Sequence, residues 1–165
     1  KNVTQYHKQM TQPLHIGFDA KRAFFNPTGL GHYSRNLLQA LAQYYPSNHY
    51  HLYSPKAPDN NTEPYLTQLP FVAHYPSGLI DKLLPSLWRS ALLGSQLATD
   101  GVQLYHGLSG ELPFDIRESK VRSVVTIHDL IFLELRHHFV PGSLVHYSYI
   151  DTSQTLAFQL VLEYL

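Results

Sequence analysis

The sequence predicts an α/β domain of the Rossmann-like kind, with a mainly parallel sheet flanked by helices. Segments of strand and helix character follow one another in the order strand, helix, strand, strand, helix, strand, strand. The segment VRSVVTIH, at 121–128, contains a continuous apolar run typical of a parallel strand that is buried on both faces. With 165 residues, the chain has the length of one ordinary domain and can bury roughly two-thirds of its unfolded surface.

The first half of the domain combines short strands with one long helix. Residues 14–19 (LHIGFD) alternate apolar with small or polar side chains, which predicts a strand, and FFNPTGLG after it predicts a tight turn. From Thr28 onward apolar side chains recur at helical spacing until Pro46, so we predict an amphipathic helix of about 16 residues. Short strands are predicted at 49–53 and 71–75, joined by a surface connection.

The second half ends in two further strands. A helical pattern runs through 79–97, where Pro85 must kink or divide the helix. Strands are predicted at 102–106 and 121–128, and the connection between them, GLSGELPFDIRESK, is too polar to belong to the core. Three regions follow from this pattern: a disordered lead-in at 1–13, the domain at 14–149, and an atypical apolar C-terminal segment at 150–165.

Composition excludes several classes of function. Lys and Arg total 12, as do Asp and Glu, so the basic excess of a nucleic-acid-binding surface is absent. The chain has no cysteine, which rules out a disulfide framework and fits a reducing compartment, so we predict a cytoplasmic protein. His128 and Asp129 interrupt the most apolar segment, and no run reaches the roughly 18 apolar residues that a membrane-spanning helix needs.

The turn before the long helix is the first candidate binding site. Thr28, Gly29, Leu30 and Gly31 lie where the unpaired N–H groups of a helix N-terminus attract anions, and glycine lets a phosphate approach the backbone. The alternative interpretation is that both glycines serve only the turn and close helix packing. The full dinucleotide fingerprint is absent, because Ser34 stands where its last glycine would be.

His128 and Asp129 form the second candidate site. They directly follow the predicted central strand, and ligands of open parallel sheets bind beyond the carboxyl ends of the strands. A histidine there can bond a sugar hydroxyl or transfer a proton. The alternative is a structural histidine whose hydrogen bonds are satisfied by nearby backbone.

The third candidate site is the segment after the strand at 102–106, with Asp19 at the end of the first strand as its neighbour. It supplies polar groups and flexible backbone to the same edge of the sheet: His106, Gly107, Ser109 and Glu111. Glu111 and Asp129 could also be the paired carboxylates of a glycoside hydrolase, which requires a defined separation between them.

A metal site is not predicted, although the chain has 11 histidines. His137 and His138 are adjacent and so point in different directions, and no histidine pair at i, i+4 has a nearby acid.

Three segments of the sequence carry a resemblance to a known family, and they occur in that family's order: IGFDAKRAFFNPTGLGHYSRNLLQALAQYYP, LYHGLSGELPF and SVVTIHDLIFL. Together they resemble the N-terminal domain of retaining GT-B glycosyltransferases of family 4, the mannosyltransferase-like group. The resemblance covers residues 14–149. It implies a nucleotide-sugar donor, a glycan or lipid-linked acceptor, and transfer without a cofactor or bound metal.

The resemblance also implies roles for individual residues. In this family two Rossmann-like domains face each other across a cleft, and the N-terminal domain chiefly receives the acceptor. Gly29 and Gly31 would border the donor diphosphate, and His128 would contact the transferred sugar. Asp129 and the loop 106–111 would line the acceptor side.

The sequence departs from the family at its C-terminal end. The family's second domain supplies an Arg, a Lys and a Glu-x7-Glu motif, and none of these follows Leu165. We therefore expect a truncated or split enzyme that is inactive alone and self-associates through an exposed apolar face. Peripheral membrane association would fit a lipid-linked acceptor of the full enzyme. The alternatives are a non-catalytic interaction remnant and an unrelated nucleotide-binding α/β protein.

Overall fold

The computed structural model describes residues 12–68, 70–76, 88 and 92–128, together with the backbone of 155–159. Most of the predicted lead-in and of the predicted helix at 79–97 lies outside these residues, as does Asp129. The strands are β1 (His15–Asp19), β2 (His49–Tyr53), β3 (Phe71–His74), β4 (Leu104–Gly107), β5 (Arg122–Ile127) and β6 (Thr155–Gln159). The helices are α1 (Lys21–Phe25), α2 (Gly29–Tyr44), α3 (Leu93–Thr99) and α4 (Ile116–Ser119), with a 3₁₀ turn at Pro64–Thr67.

The six strands form one sheet in the order β3-β2-β1-β4-β5-β6, and every neighbouring pair is parallel. The predicted Rossmann-like α/β class is therefore confirmed, and the five predicted strands and the long helix are present within one or two residues of their predicted bounds. The chain leaves β1 toward β2 on one side and reaches β4 on the other. Such a reversal opens a crevice at the carboxyl ends of the two central strands.

Alternate side chains of the strands build a core on each face of the sheet. On the face covered by α1 and α2, Phe18, Tyr50 and Leu52 pack with Leu38 of α2. The Tyr50 hydroxyl lies 2.8 Å from the carbonyl oxygen of Tyr45, where α2 ends. The second core lies on the face covered by α3, and its buried members are Tyr53, Trp88, Leu93, Leu97, Val102, Tyr105 and Val121.

Three details differ from the sequence-based expectations. The turn after β1 contains the short helix α1, because Asp19 Oδ1 accepts a hydrogen bond from Lys21 N at 3.1 Å and so starts a helical turn. The connection after β4 was expected to lie outside the core, which is wrong for Leu108, whose side chain is fully buried. Residues 155–159, inside the atypical C-terminal segment, form the edge strand β6.

Helix α3 is capped by a residue far away in the sequence. Its own N-cap residue, Leu92, makes no side-chain cap. Instead, the Asp115 carboxylate accepts hydrogen bonds from Gly94 N at 2.9 Å and from Ser95 N at 3.1 Å. A carboxylate on these amides satisfies two unpaired donors and interacts favourably with the helix dipole.

We expect Asp115→Ala to destabilise the protein by about 1–2 kcal/mol, because the amides of the first turn of α3 lose their acceptor. Asp115→Asn, which keeps one acceptor oxygen, should lose less. Urea unfolding of the three proteins measures the difference, and equal stability of Asp115→Ala and the native chain would contradict the capping role.

Candidate functional site

Four side chains from α2, β4, β5 and the residue after β5 meet at the carboxyl edge of the sheet. The Tyr33 hydroxyl lies 3.1 Å from Thr126 Oγ1, and His106 Nε2 lies 2.8 Å from the same oxygen. The His128 ring meets the Tyr33 ring edge-on, with centroids 4.9 Å apart and an interplanar angle of 85°. We call this group, Tyr33, His106, Thr126 and His128, the carboxyl-edge rim.

His128 is half-buried and has one ring nitrogen engaged. Its Nε2 lies 2.8 Å from the carbonyl oxygen of Leu108. Because a carbonyl oxygen only accepts, Nε2 carries the hydrogen, and Nδ1 of the neutral ring is an acceptor. The hydrogen bond to the Leu108 carbonyl agrees with a structural role for His128. The remaining acceptor nitrogen, Nδ1, agrees with a role in binding a sugar hydroxyl. The contact with a transferred sugar remains a prediction.

His106 acts inside the rim as the partner of Thr126. Burial lowers its pKa from 6.5 to about 4, so the imidazole is neutral at neutral pH. Its ring centroid lies 5.9 Å from that of Phe18 in the core. The Thr126 hydroxyl has a single hydrogen, so it donates to one of Tyr33 and His106 and accepts from the other.

The two glycines in the first turn of α2, Gly29 and Gly31, have different surroundings. A Cβ on Gly31 would lie only 1.7 Å from the carbonyl oxygen of Asn26, so this residue must be glycine for α2 to pack against the preceding turn. The packing interpretation thus accounts for Gly31 without a ligand. A Cβ on Gly29 would meet no atom within 4 Å. The neighbouring Leu30 is half-buried, and its carbonyl accepts from Ser34 Oγ at 2.8 Å.

The first turn of α2 lacks a side-chain cap from its N-cap residue. Thr28 makes no cap hydrogen bond. Its hydroxyl instead donates to Asn26 Oδ1 at 2.6 Å. The N-terminal amides of the helix are therefore not covered by the residue that usually covers them.

The remaining predicted site residues lie at the same edge but are more enclosed than expected. Asp19 is only 2% exposed and serves the start of α1, so it belongs to the fold more than to an open cleft. A Cβ on Gly107 would lie 2.1 Å from the carbonyl oxygen of Glu111, which shows how tightly the loop folds back on β4. Ser109 and Glu111 are half-buried. The separation of Glu111 from Asp129 lies outside the described residues.

Tyr33 and Thr126 were not among the predicted site residues. The sequence places Tyr33 in the apolar pattern of the helix, where an aromatic residue is expected to be core. Thr126 was hidden in the apolar run of β5. Their positions in the sequence could have identified them as site residues. Tyr33 is one helical turn after Gly29, and Thr126 lies on the same face of the strand as His128, two residues later.

A second polar group crosses the opposite face of the sheet, and we call it the histidine chain: His15, His51, His74 and Asp100. His15 Nδ1 lies 3.0 Å from His51 Nε2, and His51 Nδ1 lies 3.0 Å from His74 Nε2. His74 Nδ1 lies 3.4 Å from Asp100 Oδ2. This arrangement was not predicted, because His15, His51 and His74 were not among the candidate site residues of the sequence.

The Asp100 carboxylate favours one direction for the hydrogen bonds of the histidine chain. An ionised carboxylate favours a hydrogen on the ring nitrogen that faces it, so His74 carries its hydrogen on Nδ1 and its Nε2 accepts from His51. By the same reasoning His51 Nε2 accepts from His15. Asp100 is itself held by Tyr53, whose hydroxyl donates to Oδ2 at 2.7 Å, and by Gln96, whose amide donates to Oδ1 at 2.9 Å.

Burial keeps the inner rings of the histidine chain neutral. Burial, together with smaller contributions from the neighbouring His74 and His15, lowers the pKa of His51 to about 4. Burial also lowers the pKa of His74, although the negative charge of Asp100 opposes this effect. His51 is 9% exposed, so water cannot replace the partners of its ring nitrogens.

Within the described ranges, no group of three or more His, Asp or Glu side chains could hold a metal ion. In the same ranges, no helix has the length and apolar character needed to cross a membrane.

No protein-family model matches this sequence, and no curated protein matches it either. The resemblance to family 4 glycosyltransferases remains an expectation drawn from the three quoted segments.

We expect the stability of the protein to fall as the pH decreases from 7 to 5. His51 and His106 have folded-state pKa values of about 4, below the 6.5 of the unfolded chain, so the unfolded state binds more protons in this window. After discounting for solvent screening, the loss should be roughly 2 kcal/mol. Urea unfolding at several pH values measures it.

His51→Gln separates this effect from the titration of carboxylates. The variant cannot take up the proton at position 51, so its stability should depend less steeply on pH than that of the native chain. An identical pH dependence in both proteins would show that His51 is not held neutral by the fold.

Proposed function

We propose that this chain is the N-terminal, acceptor-side portion of a retaining glycosyltransferase. The reaction moves a hexose, mannose in the first instance, from a nucleotide-sugar to a glycan or lipid-linked acceptor in the cytoplasm. A second lobe, in the same or a separate chain, supplies most of the donor contacts. On this proposal the described residues form one wall of the cleft.

The observation that carries the proposal is the meeting of the three resembling segments at one edge of the sheet. Tyr33 belongs to the first segment, Leu108 to the second and His128 to the third. The His128 ring contacts Tyr33 edge-on at 4.9 Å and bonds the Leu108 carbonyl at 2.8 Å. Segments that are far apart in the sequence therefore converge where an α/β sheet binds its ligands.

The donor diphosphate is proposed to lie at the start of α2. An anion there is favoured by the helix dipole and by N–H groups that the Thr28 side chain leaves uncapped. Open space around Gly29 leaves room for a phosphate, whereas Gly31 is covered by the carbonyl of Asn26. This part of the proposal therefore rests on Gly29.

His128 is proposed to orient the transferred sugar. With Nε2 bound to the Leu108 carbonyl, Nδ1 can accept a hydrogen bond from a sugar hydroxyl. The ring is held by Tyr33 on one side and by the backbone on the other, so little side-chain freedom is lost when the sugar binds.

We expect Gly29→Ala to fold normally, because no atom lies within 4 Å of the added methyl group. Binding of the donor should weaken several-fold, because the methyl group occupies the space proposed for the diphosphate. The measurement is a titration of the chain with GDP-mannose and UDP-glucose, followed by amide NMR shifts of 28–32. Gly31→Ala is the matched comparison: it should destabilise the fold by about 2 kcal/mol or more through overpacking. Unchanged donor binding by Gly29→Ala would remove the proposed diphosphate site.

We expect His128→Ala to cost only about 1 kcal/mol of stability, which is the usual contribution of one hydrogen bond. The sugar-dependent part of the NMR response should disappear. GDP alone, which lacks the hexose, provides the control, because its effect on 28–32 should be the same in both proteins. A GDP-mannose response that His128→Ala leaves intact would exclude contact between His128 and the sugar.

A further inference from the structure

A separate pocket of about 580 Å³ opens beside the N-terminal half of α2. Its volume falls within the range of small-molecule sites. Polar groups of both signs line it, along with the apolar surfaces of Phe24, Phe25 and Pro27. The polar residues are Asn26, His32, Arg35, Asp59, Asn61 and Glu63.

One wall of the pocket is organised around Arg35. Its Nη1 donates to the carbonyl oxygens of Asn26 at 2.9 Å and Ala23 at 3.1 Å, and its Nη2 lies 3.4 Å from His32 Nδ1. These bonds hold the planar guanidinium against the turn between α1 and α2. The close approach of that turn to α2 depends on Gly31.

The opposite wall is a loop with its own internal hydrogen bonds. Asp59 Oδ1 accepts from Asn61 N at 2.9 Å, and Asp59 N donates to Thr62 Oγ1 at 3.1 Å. The loop is tied to α2 through Tyr65, whose hydroxyl donates to the carbonyl oxygen of Arg35 at 3.3 Å. Both walls are therefore fixed by hydrogen bonds before any ligand binds.

We propose that this pocket binds an uncharged saccharide. Asp59 and Glu63 disfavour an anionic ligand, and Arg35 disfavours a cationic one. Sugar hydroxyls donate and accept, so they can use carboxylates, amides and the guanidinium together. The apolar face of a sugar ring can rest on Phe25 and Pro27, as aromatic and apolar surfaces of small-molecule sites commonly allow.

The position of the pocket suggests which saccharide is involved. Asn26 and Pro27 line it, and they lie only a few residues before Gly29 at the start of α2. A sugar held here would lie next to the proposed donor site, as an acceptor must. The acceptor role rests on the proposed function, whereas saccharide binding does not. The inference is that the acceptor is a neutral glycan rather than a phosphorylated or uronic-acid-containing one.

The test is an NMR titration of the full chain with α-1,2-mannobiose in the absence of any nucleotide-sugar. Shifts of the Asn26, Asn61 and Glu63 amides, with a dissociation constant on the order of 1 mM, are expected. Glucuronic acid and inorganic phosphate at the same concentrations should give smaller shifts at these residues. Phosphate or glucuronic acid binding as tightly as mannobiose would overturn the inference.

Glu63→Gln should weaken mannobiose binding about tenfold, because a hydroxyl bonded to a carboxylate is held more strongly than one bonded to an amide. Glu63 is exposed, so the variant should fold. Glu118→Gln, an equally exposed change on α4, is the matched control and should bind as the native chain does. Equal affinity of Glu63→Gln and the native chain, or no shifts of pocket amides at all, would contradict the proposal.

The outcome is separable from that of the proposed function. Mannobiose shifts at the pocket without any GDP-mannose response would support saccharide binding and count against a glycosyltransferase. A GDP-mannose response without mannobiose shifts at the pocket would leave the glycosyltransferase proposal standing and overturn this one.

Discussion

The arrangement of the carboxyl-edge rim depends on one buried hydroxyl. Thr126 is 1% exposed and its oxygen is bonded to both Tyr33 and His106, so it connects β5 to α2 and to β4. A buried hydroxyl that lost these partners would remain desolvated and unpaired, which costs more than a single hydrogen bond contributes. Helix α2 is thereby fixed in its rotation over the sheet, and His128 is placed beside Tyr33.

The same helix serves two surfaces. Tyr33 lies on the side of α2 that faces the sheet and the carboxyl-edge rim. Arg35 lies on another side and lines the pocket beside the N-terminal half of the helix. Both surfaces rely on the close contact at Gly31, where the turn before the helix approaches without room for a Cβ. The glycine pattern thus combines a packing requirement at Gly31 with an accessible backbone at Gly29.

The sequence was sufficient to predict the sheet and its long helix, because period-two and helical spacing report burial directly. It also placed His106 and His128 correctly at strand ends, since parallel strands share one carboxyl edge. It did not predict α1, a five-residue helix started by Asp19, whose signal is a local hydrogen bond and not a periodic pattern. The burial of Leu108 was not predicted, because a single apolar residue in a polar loop forms no repeating hydrophobic pattern.

The histidine chain could not be predicted for a different reason. Its members come from three strands and a helix end, and their contact depends on register: His15 pairs with His49, and Tyr53 pairs with His74. The residue pattern of a single strand does not determine its register against the next strand. Only the alternation HYH at the start of β2 indicates that two histidines share a face.

Because Asp100 lies at one end of the histidine chain, it favours the same tautomer in all three imidazoles, with the hydrogen on Nδ1, and their hydrogen bonds then run in one direction. No ring can move its hydrogen to the other nitrogen unless the rings between it and His15 change as well. The only acceptor lone pair left at the end of the array is on Nε2 of His15, at the amino edge of the sheet. The open acceptor end of the array therefore lies at the edge of the sheet opposite the carboxyl-edge rim.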